Sequence, residues 1–417
     1  MTTPGPGVTG TAEGRVATRA AWATFVVFAL NGLVFANWAS RLPAVRDALG
    51  LSPAQLGVLL LVGSLGSVVA LPLTGALVQR VGTARAVVGA ATVNVAAFAL
   101  VALAVGAGEA AWLAPALFVA QMGIAGWDVA MNLEGGAVER TLGRSIMPRF
   151  HAGFSLGTVL GAGLGALAAW AEVSVTAHLI SVYAVIWVAL LVSLRWFLPD
   201  DAAAHPRPDG HADRRARLRH AFGAWREPRT LLIGVVVLAA ALTEGAANDW
   251  LALAVVDGFA QPDAVGAIFF GIFVAAMTAV RLVGTELLDR YGRVTVLRLC
   301  TAVAGVGLLL FTLSPGLPGA LVGAVLWGAG AALGFPVGMS AASDDPLHAA
   351  PRVSVVSSIG YTAFLAGPPL LGLLAEHVGY RAALLAIVVP LLAGLLVVPA
   401  TRPPGAKITG RPGTGRP

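Results

Sequence analysis

Three polar side chains lie on one stripe of a long apolar stretch in the first half of the chain. Asp128 follows Gln121 by seven residues and precedes Asn132 by four, spacings that place all three on one helical face. An ionisable side chain inside a membrane-spanning helix costs at least about 2.5–3.5 kcal/mol, so it requires a partner or a water-filled cavity. We predict that Asp128 contacts a ligand or exchanges a proton. The alternative is a structural hydrogen bond to a neighbouring helix.

A second polar pair occurs in an apolar stretch of the other half. Glu244 and Asn248 are four residues apart, so they also share one helical face. Asn31 is a further polar residue within the first apolar stretch. Asp249 and Asp257 follow near the end of their stretch, and we assign them to a loop or an interface.

Composition indicates that these side chains lie in a membrane. Of 417 residues, 57% are apolar and 12% are charged, with a mean hydropathy of +0.82; an ordinary soluble domain is about 25% charged. The net charge of +6 sits in short connections between apolar stretches, which argues against a nucleic-acid-binding face. Cys300 is the only cysteine, so an intramolecular disulfide and a cysteine-based metal site are both excluded.

The apolar residues form twelve blocks of about the length that crosses a hydrocarbon core of about 30 Å as a helix. We therefore predict an all-α integral membrane fold of twelve transmembrane helices in two six-helix halves. The predicted spans are 20–38, 54–77, 86–106, 112–133, 153–171, 176–197, 230–252, 264–284, 294–314, 317–341, 354–374 and 381–400.

The distribution of basic residues orients these spans. With a cytoplasmic N-terminus, 24 of the 27 Lys and Arg fall in segments predicted to be cytoplasmic or within the adjoining span ends, as the positive-inside rule requires. Both termini are then cytoplasmic, and the protein is a multi-pass protein of the inner (cytoplasmic) membrane. The predicted organisation is a disordered tail 1–19, a first half 20–198, a cytoplasmic linker 199–229, a second half 230–400 and a disordered tail 401–417.

Further charged residues follow the fourth span. Glu134, Glu139, Arg140 and Arg144 lie between two apolar blocks. We predict that they form a solvated cytoplasmic turn.

The two halves share a short motif at an offset of 210 residues. It follows the second span of each half, where a glycine turn with nearby cations can bring cytoplasmic helix ends together. The alternative role for these arginines is only to determine topology. The residues of the two motifs are Gly75, Arg80, Gly82 and Arg85 in the first half, and Asp289, Arg290, Gly292 and Arg293 in the second.

These loops resemble the motif of the major facilitator superfamily between spans two and three: a glycine, an acid, Arg, any residue, Gly and a basic residue. In this chain Gln79 replaces the acid of the first copy, and Thr285 replaces the leading glycine of the second. A narrower resemblance, to the fucose permease-related branch and an inner-membrane subgroup of it, lies in three segments: 128–132 (DVAMN), 149–151 (RFH) and 155–157 (SLG).

The resemblance implies a secondary transporter in which spans one, four, seven and ten line a central cavity. It places Asp128, Asn132 and Gln121 opposite Glu244 and Asn248, and Asn31 completes the ring. It further implies alternating-access transport of a small, partly polar solute, coupled to protons as in symport, with the motif loops as gates. Its partners are the solute, protons and the lipid bilayer, and the fold can operate as a monomer. The alternatives are proton-coupled efflux of amphipathic compounds and a non-transporting sensor on the same fold.

The sequence does not support an ATP-driven pump or an enzyme. A Walker-type loop requires a Gly-rich sequence that ends in Lys, and the only lysine, Lys407, lies in the C-terminal tail. His151 and Ser155 are close in sequence but have no third group to orient them. We therefore expect no nucleotide or other cofactor, no metal and no enzymatic activity.

Overall fold

A computed structural model describes residues 12–143, 146–198, 223–345 and 348–403. Among these residues all regular elements are helices. Helices satisfy every backbone polar group within one segment, which the interior of a bilayer requires. The predicted all-α class is confirmed.

The described part of the first half contains seven α-helices. Six are long, and the short helix α2 connects the first two of them. Helix α3 begins with a capping box, in which Ser52 and Gln55 each accept a backbone N–H of the other, and this fixes its first turn. The bounds are α1 Ala12–Ala39, α2 Leu42–Leu49, α3 Pro53–Val81, α4 Thr83–Ala107, α5 Ala110–Leu142, α6 Met147–Trp170 and α7 Val175–Ser193.

The second half repeats this arrangement, but some of its helices are interrupted. A turn at Ala332–Leu333, three residues before Pro336, separates α11 from α12, as expected for a proline that removes a backbone donor. The bounds are α8 Pro228–Gly258, α9 Asp263–Tyr291, α10 Arg293–Leu313, α11 Leu317–Ala331, α12 Gly334–Ala342, α13 Ala349–Ala383 and α14 Val388–Val397.

Eleven segments of the described chain are long and apolar enough to cross a membrane. The last of them, Pro351–Thr401, has 51 residues and would extend about 77 Å as one helix at 1.5 Å per residue. Gly379 interrupts it with φ 77° and ψ 161°, between the spans predicted at 354–374 and 381–400. The count of twelve and the cytoplasmic position of both termini stay predictions.

The predicted tails and linker lie mostly outside the described residues. Where they overlap, the structure differs: α1 begins at Ala12, inside the predicted tail 1–19, and α8 begins at Pro228, inside the predicted linker 199–229.

The internal repeat is visible in the backbone. Gly82 has φ 84° and ψ 166°, and Gly292 has φ 78° and ψ 155°. A positive φ of this kind is accessible to glycine and strained for other residues. Both motif loops therefore turn the chain in the same way, 210 residues apart.

Glycines let the helices approach closely within and between the halves. A Cβ at Gly157 of α6 would overlap the carbonyl oxygen of Ala29 in α1. The halves meet through α3 with α13 and α6 with α9. At the first of these contacts a Cβ at Gly57 would lie 2.6 Å from the carbonyl oxygen of Pro368. Such small-residue contacts are typical of helix packing in membranes.

An ion pair joins the halves at the end of the bundle that carries α2, here called the α2 end. Arg46 Nη1 lies 2.5 Å from Asp257 Oδ2, and its guanidinium lies 5.5 Å from the centre of the Tyr380 ring. Burial alone would lower the pKa of Arg46, but hydrogen bonds to Asp257 and Asp47 raise it above its ordinary value. We call Arg46, Asp257 and Tyr380 the α2 latch; the predicted topology places it on the outer side.

At the opposite end, the linker end, the expected solvated turn is wrong for Glu134. This residue is 0% exposed; it accepts hydrogen bonds from Thr83 Oγ1 at 2.5 Å and from the Leu198 backbone N–H at 2.8 Å. Glu139 accepts the backbone N–H of Met147 at 2.8 Å, at the start of α6. Both carboxylates therefore tie helix ends together.

The two arginines of that expected turn differ in what the structure describes. Arg140 is exposed in the last turn of α5, as predicted for a solvated cation. Arg144 lies outside the described residues.

Candidate functional site

A cavity of about 250 Å³ lies between the two halves. Residues of α1, α3 and α5 line it from the first half, and residues of α8 and α13 line it from the second. Its volume is below the roughly 300–1,000 Å³ of sites for drug-sized ligands, so it suits a small molecule. The lining residues are Phe35, Ser64, Ser67, Val68, Leu71, Gln121, Ala125, Asp128, Gly245, Asn248, Asp249, Tyr361, Phe364 and Leu365.

Three of the predicted site residues line this cavity: Gln121, Asp128 and Asn248. Helix α5 positions the first two, because they are seven residues apart and so lie on one face. Asn132 is one turn further along and donates to the backbone oxygen of Asp128 at 2.9 Å and to its Oδ1 at 3.3 Å. The amide of Asn132 thus orients the Asp128 carboxylate.

The other two predicted residues have protein partners elsewhere. Asn31 is 2% exposed, and its amide donates to the backbone oxygen of Ile124 at 3.5 Å. Glu244 pairs with Arg281 of α9 at 2.9 Å. Arg281 lies ten residues before the end of α9.

Asp249 is the cavity residue that the sequence reasoning missed. The prediction of a loop or interface position is wrong, because Asp249 lies inside α8 and lines the cavity. In the described chain it has no hydrogen-bond or ion-pair partner. The signal was present in the sequence: Asp249 directly follows Asn248, a residue already assigned to the site.

The cavity wall presents hydrogen-bond acceptors more than donors. The Ser64 hydroxyl donates to the backbone oxygen of Leu60 at 3.1 Å, and the Ser67 hydroxyl donates to that of Gln121 at 3.2 Å. A hydroxyl has only one proton to donate, so both serines offer oxygen lone pairs to the cavity. Aromatic rings of Tyr361 and Phe364, with centres 6.3 Å apart, supply an apolar wall.

The motif loops lie at the linker end, away from the cavity. Arg80 and Arg85 are exposed and have no partner in the part of the chain that the structure describes. Asp289 and Arg290 of the second copy are also exposed. Their gating role stays a prediction.

Arg293, by contrast, is bound within the second half. It contacts Asp344 at 2.9 Å, and Arg229 contacts the same carboxylate at 2.7 Å. Asp344 thus joins the starts of α8 and α10 to the end of α12.

Comparison with known proteins places this architecture in a family. The family model described as Major Facilitator Superfamily matches residues 24–354, and again residues 262–417. The chain belongs to the major facilitator superfamily. It is 34% identical to the transporter y4wD of Sinorhizobium fredii over 382 residues, which cover 88% of this chain and 96% of that relative. It is therefore a multi-pass membrane transporter by family, as the motif loops indicated.

Solved structures of the superfamily share the fold. The nucleoside transporter NupG has a TM-score of 0.71 at 16% identity, and the match covers 93% of this chain and 98% of NupG. FucP in the outward conformation has a TM-score of 0.62 at 15% identity, with 93% and 99% covered. At these identities the similarity establishes the fold alone. The class of solute is therefore inferred from the residues of the cavity.

Proposed function

We propose that this major facilitator protein moves a small, partly polar solute across the cytoplasmic membrane by alternating access, driven by a proton gradient. The observation that carries the proposal is the cavity of about 250 Å³ between the halves, with one intramembrane carboxylate from each half. Solute sites of secondary transporters lie near the midplane where the repeats meet. Both termini are cytoplasmic in this proposal, and a single chain is the transport unit.

Asp128 is the proposed proton-coupling residue. Acids at bilayer depth face a cavity or a partner, and they mark proton and substrate pathways. Asp128 faces the cavity, and its described polar partner is the amide of Asn132, which cannot neutralise a charge. Proton coupling is compatible with this fold, since the E. coli FucP that shares it is a fucose:proton symporter.

The α2 latch supplies the contacts that alternating access must break. It joins the halves at one end of the cavity, together with a hydrogen bond from the Ala54 backbone N–H to Glu376 at 3.1 Å. Opening toward the α2 end requires these contacts to separate. The exposed arginines of the first motif loop, Arg80 and Arg85, are the proposed gate residues at the linker end.

The test is charge displacement by proteoliposomes adsorbed on a solid-supported membrane. Sugars, organic acids, nucleosides and organic cations are added in turn to the wild type and to Asp128→Asn. Glu109→Gln is the matched control, because it removes one carboxylate at an exposed helix start outside the cavity.

We expect a solute-dependent transient in the wild type and in the control that is lost in Asp128→Asn. A transient that survives in Asp128→Asn with unchanged proton dependence would assign Asp128 a structural role. Silence for all solutes and variants would favour a non-transporting sensor.

A further inference from the structure

The chemistry of the cavity wall defines which small solute fits. Asp128 and Asp249 line it from opposite halves, and none of its described lining residues is Lys, Arg or His. Arg281, an arginine within α9, is paired with Glu244. A carboxylate at bilayer depth requires a positive partner or a proton, and the described lining supplies no cation to this cavity.

The hydrogen-bonding groups of the cavity wall also favour a positively charged solute. The Ser64 and Ser67 hydroxyl protons are donated to backbone oxygens, and the Asn132 amide is donated to Asp128. Asp249 accepts no hydrogen bond from the described protein.

The amides of Gln121 and Asn248 and the Tyr361 hydroxyl can donate as well as accept, whereas the two carboxylates and the two serines offer acceptors only. Acceptors therefore outnumber donors in the wall, and an ammonium group has three donors and no acceptor.

The apolar side of the cavity also suits a cation. Phe35, Tyr361 and Phe364 line it, and the face of an aromatic ring attracts a cation within about 6 Å of its centre. An anion would meet two carboxylates and no basic group among the described lining residues. A neutral solute would leave protons as the only means of neutralising both acids.

We propose that the transported solute is a small organic amine, held as the ammonium ion between Asp128 and Asp249 with its carbon skeleton against the aromatic wall. Asp249 is the residue that recognises the charge. One ammonium and one proton together balance the charge of the two carboxylates. This agrees with the proton-coupled transport proposed above, on which this inference rests.

The test uses two sets of compounds that keep one skeleton and change its charge. Benzylamine, benzyl alcohol and benzoate form the first set, and glucosamine, glucose and glucuronate form the second. Binding is measured by the thermal unfolding of purified protein in detergent, and transport is measured by charge displacement. The variants are Asp249→Asn and the control Glu109→Gln, whose melting temperatures without ligand establish that they fold.

We expect the amine of at least one set to bind at least tenfold more tightly than its neutral and anionic partners. Asp249→Asn should lose at least tenfold in amine affinity, whereas Glu109→Gln should match the wild type. Equal binding across the charges, preference for a neutral or anionic member, no binding at all, or full amine affinity in Asp249→Asn would overturn the inference.

The same experiment separates this inference from the proposed function. Proton-coupled transients from a neutral or anionic member alone would leave transport standing and refute the amine. Amine binding that depends on Asp249 without any transient would support the amine site and refute transport.

Discussion

Removing the charge of Asp257 should weaken closure at the α2 end. Its partner Arg46 has a side chain only 10% exposed, whereas that of Asp257 is 40% exposed. Pairs in water contribute about 0.2–1 kcal/mol, and breaking a buried pair costs about 3–5 kcal/mol. This half-exposed pair lies between those limits, so we expect a loss of about 1–2 kcal/mol for Asp257→Asn. That corresponds to roughly a 5–30-fold shift in population.

Thiol accessibility measures this shift. Cys300 is the only cysteine, so Cys300→Ala gives a background without thiols. Ser64→Cys then places one thiol in the cavity wall. A membrane-impermeant maleimide is added to the outside of intact cells, the side to which the predicted topology assigns the α2 end. Asp257→Asn should raise the labelling rate roughly 5–30-fold, in line with the population shift.

Asp47→Asn is the control for this experiment. Asp47 also contacts Arg46, at 2.6 Å, but both residues belong to α2, so this pair does not join the halves. Removing the charge of Asp47 should leave the labelling rate within about twofold of that of the Cys300→Ala, Ser64→Cys protein, since exposed ion pairs contribute little to stability. An unchanged rate in Asp257→Asn, or an equal rise in Asp47→Asn, would refute the assignment of the latch.

Three further substitutions test the packing by thermal unfolding in detergent. Gly157→Ala should destabilise the protein by about 1–3 kcal/mol or more through overpacking, whereas Gly163→Ala, with open space around its Cβ, should be neutral or stabilising. Gly82→Ala should cost about 1–3 kcal/mol because its positive φ strains alanine, and Gly75→Ala should not. Glu134→Gln should cost about 1–3 kcal/mol, since it weakens buried hydrogen bonds. Melting temperatures equal to those of the glycine controls, or to that of the wild type for Glu134→Gln, would contradict each assignment.

Hydropathy predicted the helices well because the bilayer forces the backbone into span-length helices. The motif loops could also be predicted from the sequence, because Gly82 and Gly292 must adopt a backbone conformation that favours glycine. The resemblance to the major facilitator superfamily placed Asp128 and Asn248 on the cavity, because spacing by itself indicates only which residues share a helical face.

Contacts between distant residues could not be obtained in this way. Glu134 looked solvated because it lies near the end of a span, yet its partners Thr83 and Leu198 come from 51 and 64 residues away. Asp249 also lies near the end of its predicted span, so the sequence did not determine how deep in the membrane its side chain lies. A helical face can be computed from spacing, but what faces it depends on how the helices pack.

The central claim is that solute movement and proton movement are coupled through Asp128, and internal pH reports it most directly. Proteoliposomes that contain a pH-sensitive dye receive the solute that gives the largest charge transient, for the wild type, Asp128→Asn and Glu109→Gln. We predict a solute-dependent change of internal pH in the wild type and Glu109→Gln that is absent in Asp128→Asn. An equal pH change in Asp128→Asn, or solute flux in the wild type without any pH change, would contradict the claim.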